Sequence, residues 1–583
     1  MKILLTTLNS KFIHSSLSLR YLKSFNEKRF PNIDIEEYTV NNDLDYILGD
    51  IYVKNYDLVC FSTYIWNITE TLEIAKNLKK VTKKTKILLG GPEVSYNPSE
   101  LLEEHVYIDY IVFGEGEITL GELFNIIIDK TGNLNEVEGL AFRDRDRIFI
   151  NKTRPLIQDL DIIPFPYGNL KELENRIIYY ESSRGCPLNC QYCLSSTLKG
   201  VRYFSLNRIK RDLKKFVCAD VKQVKFVDRT FNADKNHCLS IMKYIQSIDN
   251  GRINFHFEIN AVLLDEEILD YLKNVRKGLF QFEVGVQSTS ITTLKEIQRN
   301  IDFGKIEYVI KKLASYNNIH LHLDLIAGLP YESYKTFLKS FDDVYNLKAN
   351  KIQLGFLKLL KGSGIRINQH KYGYIYKDIS PYEVMGNSYI TYREILRLKL
   401  IEEMVEQYYN SHSFDFSLDF IIERHYKNPS DFFEALSIFW EREGYHHVSH
   451  KRNQLYGILL KFYRYNKFNN ENIFKEILRF DYLRNTRGNV PEVLDTVNSQ
   501  DFKNRCHKFL QDEDNIEKYI PKFKGMAAKK IIKKVHFETF RYDILSLLSD
   551  YTGSPLNQQI VILFNYEVEN KDFERASYCK VYI

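Results

Sequence analysis

A single short loop holds three cysteines, Cys186, Cys190 and Cys193, in the spacing C-x3-C-x2-C. Three thiolates in one loop can bind three irons of a cubane cluster, which leaves the fourth iron free to bind another molecule. Ferredoxin-type sites supply four cysteines per cluster instead. A structural zinc site would need four Cys/His ligands, and no CxxC or HxxxH pair follows at a suitable distance. The remaining alternative is three unrelated core cysteines, but an Arg-Gly pair before the first and a tyrosine before the third favour a loop around a cluster.

This loop resembles the signature of the radical SAM superfamily, because Tyr192 occupies the aromatic position of its C-x3-C-x-aromatic-C pattern. The resemblance implies a [4Fe–4S] cluster on the three cysteines, with S-adenosylmethionine chelated by the open iron. One electron from the cluster would then cleave the sulfonium and give a 5′-deoxyadenosyl radical.

The composition narrows the class of protein. A chain of 583 residues predicts about three domains, and 44% hydrophobic with 27% charged residues is ordinary for a globular protein. The net charge of +5 does not indicate a nucleic-acid partner. The eight cysteines lack the dense pairing of a disulfide framework, which predicts a cytoplasmic protein. We find no signal-peptide pattern and no apolar run of the ~18 residues that span a bilayer, so we expect no membrane partner.

The first 130 residues alternate short apolar strands with helical patterns, which predicts a doubly wound parallel sheet. The predicted strands are Lys2–Leu8, Leu58–Ser62, Lys86–Gly91 and Tyr110–Glu117. Ligands bind such sheets beyond the carboxyl ends of the strands. The loops at that edge are Asn9–Ser16, Ser62–Asn67, Gly90–Glu93 and Gly114–Glu117.

The ligand of this sheet follows from its loops. A dinucleotide site would carry G-x-G-x-x-G after the first strand, and the loop there has no glycine. The strings LLGGPE and VFGEGE resemble the Rossmann-like cobalamin-binding domain that precedes the core of one class of radical SAM enzymes. The cobalamin contacts implied by the resemblance are Asn9, Ser10, His14, Ser62, Thr63, Gly90, Gly91, Glu93, Gly114, Glu115 and Gly116. The alternative is a flavodoxin-like module used only for packing.

His14 departs from the family pattern. Cobalamin domains that use histidine as the lower axial ligand carry Asp-x-His-x-x-Gly after the first strand, and that string is absent here. Three interpretations stay open for His14: a cobalt ligand, a polar residue at the cofactor pocket, or a helix-start residue.

The middle third predicts a partial (β/α)6 barrel, because strand candidates recur with helical stretches between them. The six candidates are Ile177–Glu181, Gln223–Val227, Ile253–Ile259, Leu279–Val286, His320–Ile326 and Lys351–Phe356. Active residues of such a barrel belong at the carboxyl ends of its strands, where polar residues indeed follow.

Two strings at these ends, GVQS and GLPYE, resemble radical SAM motifs beside the cosubstrate. The S-adenosylmethionine contacts implied by the resemblance are Tyr192, Asp228, Glu258, Gln287, Ser288, Arg299 and Gly328. Glu258 and Gln287 would hydrogen-bond its polar groups, and Arg299 would pair with the methionine carboxylate as a planar fork. Gly328 would relieve crowding beside the adenine. The alternative for each is a buried polar residue satisfied by its neighbours. Lone strand histidines, here His256, His320 and His322, are more often structural.

The last third carries apolar residues at helical spacing, which predicts a mainly α domain. It resembles a C-terminal extension of some cobalamin-linked radical SAM proteins, and we do not interpret His446, His447 and His450 as a metal site. The predicted domains are 1–135 for cobalamin, 136–172 as linker, 173–372 as the radical SAM core and 373–583 as the helical domain.

These resemblances imply a cobalamin-dependent radical SAM enzyme that abstracts hydrogen from an unactivated carbon and transfers a methyl group from methylcobalamin to it. We expect a small-molecule or peptide substrate and a flavodoxin- or ferredoxin-type reductant. Rearrangement or cyclisation is an alternative outcome. A methylthiotransferase acting on RNA would carry three further cysteines in its first module, where residues 1–130 have only Cys60. A cobalamin-binding regulatory protein would not need the intact cysteine loop.

Overall fold

The structure is a computed structural model that describes residues 1–198, 200–299, 301–548, 551, 553, 557–567 and 575–583. Two compact units form the chain: Met1–Tyr334 with Gly355–Tyr392, and Lys335–Leu354 with Arg393–Ile583. A few residues of the predicted helical domain lie outside the described residues. The predicted fold class, α/β followed by a mainly α region, is confirmed, and the predicted domain bounds stay a prediction.

The first unit opens with a seven-stranded sheet. Its strands are β1 (Ile3–Asn9), β2 (Ile33–Thr39), β3 (Leu58–Ser62), β4 (Lys86–Gly90), β5 (Tyr110–Val112), β6 (Leu140–Asp144) and β7 (Arg147–Ile150). The helices between them are α1 (Leu17–Asn26), α2 (Leu44–Lys54), α3 (Ile68–Val81), α4 (Pro98–Glu104) and α5 (Gly116–Ile127). The strand order is β2-β1-β3-β4-β5-β6-β7, with β1 to β5 parallel and the last two antiparallel. This order creates a switch point between β1 and β3, where ligands bind doubly wound sheets.

Strands β1, β3 and β4 read as nearly continuous apolar runs because helices cover both faces of the sheet. Leu4, Phe61 and Leu89 pack into the core on one face, and Cys60 and Leu88 pack into the core on the other. The edge strand β2 was not predicted, since its sequence IDIEEYT is rich in acids and only Ile33 and Tyr38 of it are buried. Strands β6 and β7 lie within the predicted linker.

The central sheet has six strands in the order β8-β11-β12-β13-β14-β15. They are β8 (Ile178–Tyr180), β11 (Gln223–Phe226), β12 (Asn254–Ile259), β13 (Phe280–Gln287), β14 (His320–Ala327) and β15 (Lys351–Phe356), and a hairpin of β9 (Ser183–Gly185) and β10 (Val201–Tyr203) flanks the cysteine loop. Helices α6 (Leu206–Cys218), α7 (Lys235–Ser247), α8 (Glu266–Leu272), α9 (Ile291–Glu296), α10 (Phe303–Tyr316) and α11 (Tyr334–Tyr345) alternate with the strands. Strands β8, β11, β12, β13 and β14 pair in parallel, as the predicted barrel requires. The boundary between the two units passes through β15.

A segment after β15 completes the first unit with α12 (Gly364–Ile367), β16 (Ile375–Tyr376) and β17 (Val384–Gly386). Leu357 and Val384 of this segment share an apolar cluster with Leu294 and Leu329 of the central domain. The segment therefore packs beside the GLPYE string.

The second unit is mainly helical, as predicted. Its helices are α13 (Tyr392–Met404), α14 (Asp415–His425), α15 (Pro429–Arg442), α16 (Arg452–Tyr465), α17 (Glu471–Asn485), α18 (Phe502–Phe509), α19 (Glu513–Tyr519) and α20 (Ala528–Ile531). It also holds an antiparallel sheet of β18 (Val535–Phe540), β19 (Ile560–Asn565) and β20 (Ser577–Val581), which the helical pattern did not predict. Within the described part of the chain, we find no helix whose length and apolar character would allow it to cross a bilayer.

Candidate active site

The cysteine loop lies between β9 and β10. Cys190 is buried and Cys186 and Cys193 are half-buried. Zinc with bonds of about 2.3 Å would draw the sulfurs to about 4 Å from one another. Among the described residues, however, the three sulfurs do not form a group whose ligand atoms all lie within 4.8 Å. Three cysteine sulfurs also fall short of the four ligands that a structural zinc site takes.

Two polar side chains lie beside these sulfurs. Arg299 is 8% exposed, and its Nη1 lies 3.4 Å from Cys190 Sγ and 3.1 Å from the Tyr192 hydroxyl. The Thr230 hydroxyl lies 3.5 Å from Cys186 Sγ, while it donates its proton to the Arg229 carbonyl at 2.8 Å. The buried guanidinium of Arg299 favours negative charge beside Cys190, as a cluster held by the three cysteines would bring.

Arg299 also connects the cysteine loop to the GVQS string. Its Nη2 donates to the Gly285 carbonyl at 2.5 Å, next to a bulge between Gly285 and Gln287 in the β13–β14 pairing. Gln287 has a φ of 72°, a left-handed conformation that costs energy for a residue other than glycine. Its buried Oε1 has no hydrogen-bond partner among the described residues. A strained residue with an open acceptor fits a ligand-binding role. The structure thus brings together Tyr192, Gln287 and Arg299 of the predicted S-adenosylmethionine contacts.

Other predicted contacts have protein partners. Asp228 accepts from the Ser182 amide at 2.9 Å and from the Ser182 and Ser183 hydroxyls at 2.6 Å each, so its carboxylate holds the chain before the cysteine loop. Ser288 donates to Glu332 at 2.5 Å. The Gly328 carbonyl accepts from the Tyr374 hydroxyl and from Asn387 Nδ2, each at 3.0 Å.

Glu258 lies on β12, opposite Glu283 of β13. Burial raises the pKa of the Glu258 carboxyl to about 6, although the positive charge of Arg229 opposes the shift. Two further residues give this face of the sheet an ionic character. A His256 ring nitrogen lies 2.9 Å from Glu283 Oε2, and Lys225 donates to the same oxygen at 3.0 Å.

A cavity of about 550 Å³ lies at the carboxyl edge of the first sheet. Nine of the predicted cobalamin contacts line it: Asn9, Ser10, His14, Ser62, Gly90, Gly91, Gly114, Glu115 and Gly116. Its inner part is apolar, since Leu88 of the sheet and Leu19 and Leu120 of the helices α1 and α5 also line it. The cavity coincides with the β1/β3 switch point, because loops after both strands contribute to it.

Two glycines of the cavity are needed for different reasons. Gly91 has a φ of +109°, and a Cβ on it would lie 2.4 Å from the Thr63 carbonyl oxygen. Gly90 has ordinary backbone geometry, and a Cβ there would meet only Val112, at 3.6 Å or more. Since β4 alternates, Gly90 faces the same side as Leu88, toward the cavity. The glycine pair therefore leaves a shallow wall for a bulky ligand.

Two predicted cobalamin contacts do not line the cavity. The Thr63 hydroxyl donates to the Gly90 carbonyl at 2.7 Å and so fixes the glycine loop. Glu93 is buried, accepts from the Tyr382 hydroxyl and pairs with Lys361 at 3.1 Å. Both residues support the cavity wall from behind.

His14 lines the cavity, and its Nδ1 lies 2.7 Å from the hydroxyl of Tyr179 on the central domain. Burial, with Lys11 and Lys225 nearby, lowers the pKa of His14. A neutral imidazole with one nitrogen engaged keeps its other nitrogen free for a ligand, so the geometry is compatible with all three interpretations of His14.

Sequence reasoning missed Arg184, the residue that joins the cavity to the cysteine loop. It donates through Nη1 to Glu115 at 3.1 Å, through Nη2 to Glu117 at 2.6 Å and through Nε to Glu181 at 2.9 Å. Arg184 shares its charge among three carboxylates, and its attraction does not offset the burial of Glu181. Burial therefore raises the pKa of the Glu181 carboxyl to about 7. The available signal was its position two residues before Cys186.

Two aromatic residues of the cavity were also missed. Tyr64 and Trp66 stack with ring centroids 4.3 Å apart and planes at 6°, and both line the cavity. Trp66 is one of two tryptophans in the chain and is 46% exposed, so its place in a predicted ligand loop was a usable signal.

Three families match consecutive parts of the chain. Residues 3–124 match the B12 binding domain, residues 180–344 match the radical SAM superfamily, and residues 370–564 match a family described as "Protein of unknown function (DUF4080)". The predicted combination of a B12-binding domain with a radical SAM domain is confirmed.

Relatives of two kinds match the chain. The cobalamin-dependent radical SAM methyltransferase TokK of Streptomyces tokunonensis is 26% identical over 302 residues, 48% of this chain and 44% of that protein. The anaerobic magnesium-protoporphyrin IX monomethyl ester cyclase of Synechocystis sp. is 28% identical over 254 residues, 40% of this chain and 48% of that protein. The chain spans less than half the length of both relatives.

Among solved structures, the cobalamin-dependent S-adenosylmethionine radical enzyme OxsB with aqua-cobalamin bound is similar in fold. Its TM-score is 0.58 at 14% identity, and the match covers 85% of this chain and 80% of that one. At this identity the likeness is one of fold.

Proposed function

From the B12-binding domain at residues 3–124 and the radical SAM domain at residues 180–344, we propose that this protein is a cobalamin-dependent radical SAM enzyme. The proposed reaction abstracts hydrogen from an unactivated carbon of a substrate and transfers a methyl group to that carbon. The observation that carries the proposal is the pairing of a glycine-walled cavity with a three-cysteine loop in one compact unit.

When bound, the [4Fe–4S] cluster and S-adenosylmethionine supply a 5′-deoxyadenosyl radical by reductive cleavage, and methylcobalamin supplies the methyl group. The residues of this chain bind and orient these groups. Cys186, Cys190 and Cys193 hold the cluster, and Arg299 keeps Cys190 and Tyr192 in place.

For the cosubstrate, we assign direct contact to Gln287. Its side-chain oxygen has no hydrogen-bond partner among the described residues, and its strained backbone at the bulge of β13 holds it in position. Glu258 and Gly328 stay in the proposal as lining residues of the same sheet edge. Asp228, Ser288 and Arg299 act as positioning residues, because their polar atoms are engaged by the protein.

For cobalamin, we propose that the nine cavity residues surround the cofactor and that its tail enters the apolar slot beneath α1 and α5. Gly90 and Gly91 leave room for it, and the serine and asparagine side chains of the β1 loop offer hydrogen bonds. His14 is placed to face the cofactor, with Tyr179 fixing its ring.

The expected partners follow from this chemistry. We propose a small-molecule or peptide substrate, a flavodoxin- or ferredoxin-type reductant, no nucleic acid, and a cytoplasmic location. The eight cysteines, all within the described residues, form no disulfide with one another, which suits a reducing compartment and an oxygen-sensitive cluster.

A cyclisation or rearrangement is the second candidate outcome, because a cyclase is as similar to the chain as a methyltransferase is. A methylthiotransferase is disfavoured: Cys60 is the single cysteine of residues 1–135, and it is buried within the first sheet. A regulatory protein would not need the buried guanidinium of Arg299 beside Cys190.

Anaerobic reconstitution with iron, sulfide and hydroxocobalamin tests the proposal. We expect about four irons and about one cobalt per chain after desalting. Reduction in the presence of methyl-labelled S-adenosylmethionine should give 5′-deoxyadenosine and a labelled corrinoid. Iron without cobalt would overturn the cobalamin assignment, and absence of 5′-deoxyadenosine would overturn the radical assignment. Label in the reaction product supports methyl transfer, and an unlabelled, ring-closed product supports cyclisation.

A further inference from the structure

Three side chains on the inner face of the central sheet converge away from the cysteine loop. Glu283 lies opposite His322, and Gly285 lies opposite Asp324, in the pairing of β13 with β14. One ligand atom from each of Glu283, His322 and Asp324 lies within 4.8 Å of the other two. None of the three lines the cavity of the first sheet.

We propose that Glu283, His322 and Asp324 bind a divalent transition-metal ion of the zinc type. One imidazole nitrogen with two carboxylate oxygens is a donor set that such ions accept, and three protein ligands leave positions open. Bonds of about 2.0–2.2 Å hold ligands no more than about 4.4 Å apart. The observed spacing is therefore close to what the ion requires.

A second, independent observation is the state of the histidine. His322 is 6% exposed, and its Nε2 lies 3.0 Å from Asp324 Oδ1. This is an ion-pair distance, and neither atom has a hydrogen bond to any other group among the described residues. Burying polar atoms without hydrogen bonds is unfavourable. Both atoms therefore depend on this one ion pair, and a cation between them would give each a further partner.

The remaining contacts of Glu283 support the site. Lys225 Nζ and His256 Nε2 both reach Glu283 Oε2, at 3.0 and 2.9 Å, which fixes the carboxylate and leaves its other oxygen for the ion. Outer contacts of this kind orient the ligands of metal sites. Sequence reasoning treated His256 and His322 as structural. The strand register places His322 opposite Glu283, and His256 contacts the carboxylate of the same glutamate.

The charges of the face also favour a cation. Glu258 and Glu283 are opposite one another in the register, and like charges in such positions repel. Together with Asp324 they make three carboxyl groups, and the lysine and arginine that the described part of the chain places near them are Lys225 and Arg229. A bound divalent ion would offset the excess negative charge.

The open positions of the ion would face the interior of the partial barrel. If the proposed function holds, that interior receives the substrate, and the ion would bind an oxygen, nitrogen or sulfur donor of it. This role rests on the proposed function, whereas the metal site itself does not.

Zinc binding to the full-length, cluster-reconstituted protein tests the site. After incubation with zinc chloride and desalting, we expect about one zinc ion per chain in addition to the cluster iron. X-ray absorption at the zinc edge should show only nitrogen and oxygen neighbours, at about 2.0–2.1 Å, and no sulfur at about 2.3 Å. A sulfur shell would mean that zinc occupies the cysteine loop, and would overturn the proposal.

Variants assign the ligands. His322→Gln and Asp324→Asn should lose the zinc while keeping the iron content, which reports that the barrel is folded. His256→Gln should weaken zinc binding by about 10–100-fold. His447→Gln, in the second unit, is the matched control and should retain the zinc. Equal zinc in His322→Gln and the parent would overturn the proposal. Iron and cobalt counts report on the proposed function separately, so the two failures are distinguishable.

Discussion

The two parallel sheets of the first unit differ in what their strands present. Strand β1 reads ILLTTLN and is buried along its whole length, because helices pack on both of its faces. Strand β14 reads HLHLDLIA and alternates, so that Leu321 and Leu323 enter a buried layer while His322 and Asp324 face the other side. Alternation in a parallel strand indicates that one face is open to something polar.

The ligand surfaces differ accordingly. The first sheet offers its edge, a cavity with glycines, serines and leucines, which selects a large ligand by shape. The central sheet offers its inner face, where charged side chains select by charge and donor atoms. Arg184 and its three carboxylates lie where the two surfaces meet. Three variants test this contrast.

The largest expected effect is that of Cys190→Ala. Removal of one of three cluster ligands should abolish the visible absorbance of the cluster and all cleavage of S-adenosylmethionine, while cobalamin binding at the first sheet persists. Iron counting and 5′-deoxyadenosine analysis measure it. Cys218→Ala, at an exposed position, is the matched control and should behave as the parent. Unchanged iron in Cys190→Ala would contradict the cluster assignment.

Gly90→Val should weaken cobalamin binding at least about a hundredfold, or about 2.8 kcal/mol. The backbone at Gly90 tolerates a Cβ, so the added methyl groups enter the cavity rather than distort the sheet. Equilibrium binding followed by corrinoid absorbance measures the effect. Gly49→Val, on helix α2 with no atom within 4 Å of the added Cβ, should bind normally. If both variants bind alike, the cavity is not the cobalamin site.

The smallest effect concerns pH at the junction of the two surfaces. The pKa of Glu181 rises from 4.5 to about 7 on folding, because burial outweighs the attraction of Arg184. The stability that its protonated form contributes is complete below pH 4.5 and is lost as the pH rises through about 7. Glu181→Gln should remove this loss, which is on the order of 3 kcal/mol.

Urea unfolding of the apoprotein at pH 5 and pH 8, followed by tryptophan fluorescence, checks the Glu181 prediction. The parent should lose more stability between the two pH values than Glu181→Gln does. Glu103→Gln, an exposed change on helix α4, should follow the parent. A Glu181→Gln profile identical to that of the parent would mean that Arg184 keeps the carboxylate ionised across this range.

The sequence predicted the strands that are continuous or strongly alternating. Leu58–Ser62 was predicted with its observed bounds, since five buried residues in a row have few other interpretations. Strand β2 was missed because an edge strand with several half-buried acids resembles a loop. The sheet β18 to β20 was missed because its strands are separated by long segments and pair antiparallel within a helical context.

Residues of the candidate site could be predicted from the sequence where they belong to a recognisable motif. The cysteines and the glycine pair follow from local strings. Arg184 and Thr230 do not, since their roles depend on contacts with Glu115 and Cys186, 69 and 44 residues away. The proposed role of His322 depends on its register with Glu283. The sequence of a single strand does not determine its register with a neighbour.

Arg184 precedes Cys186 by two residues and donates to carboxylates that line the cavity, so events at one cofactor position change the surroundings of the other. Thermodynamic reciprocity then requires that a loaded cysteine loop alter the affinity for corrinoid by the same factor as corrinoid alters the affinity for iron and sulfide. Arg184 is the contact through which such a coupling would run, and a protein purified with one of the two cofactors measures half of a coupled equilibrium.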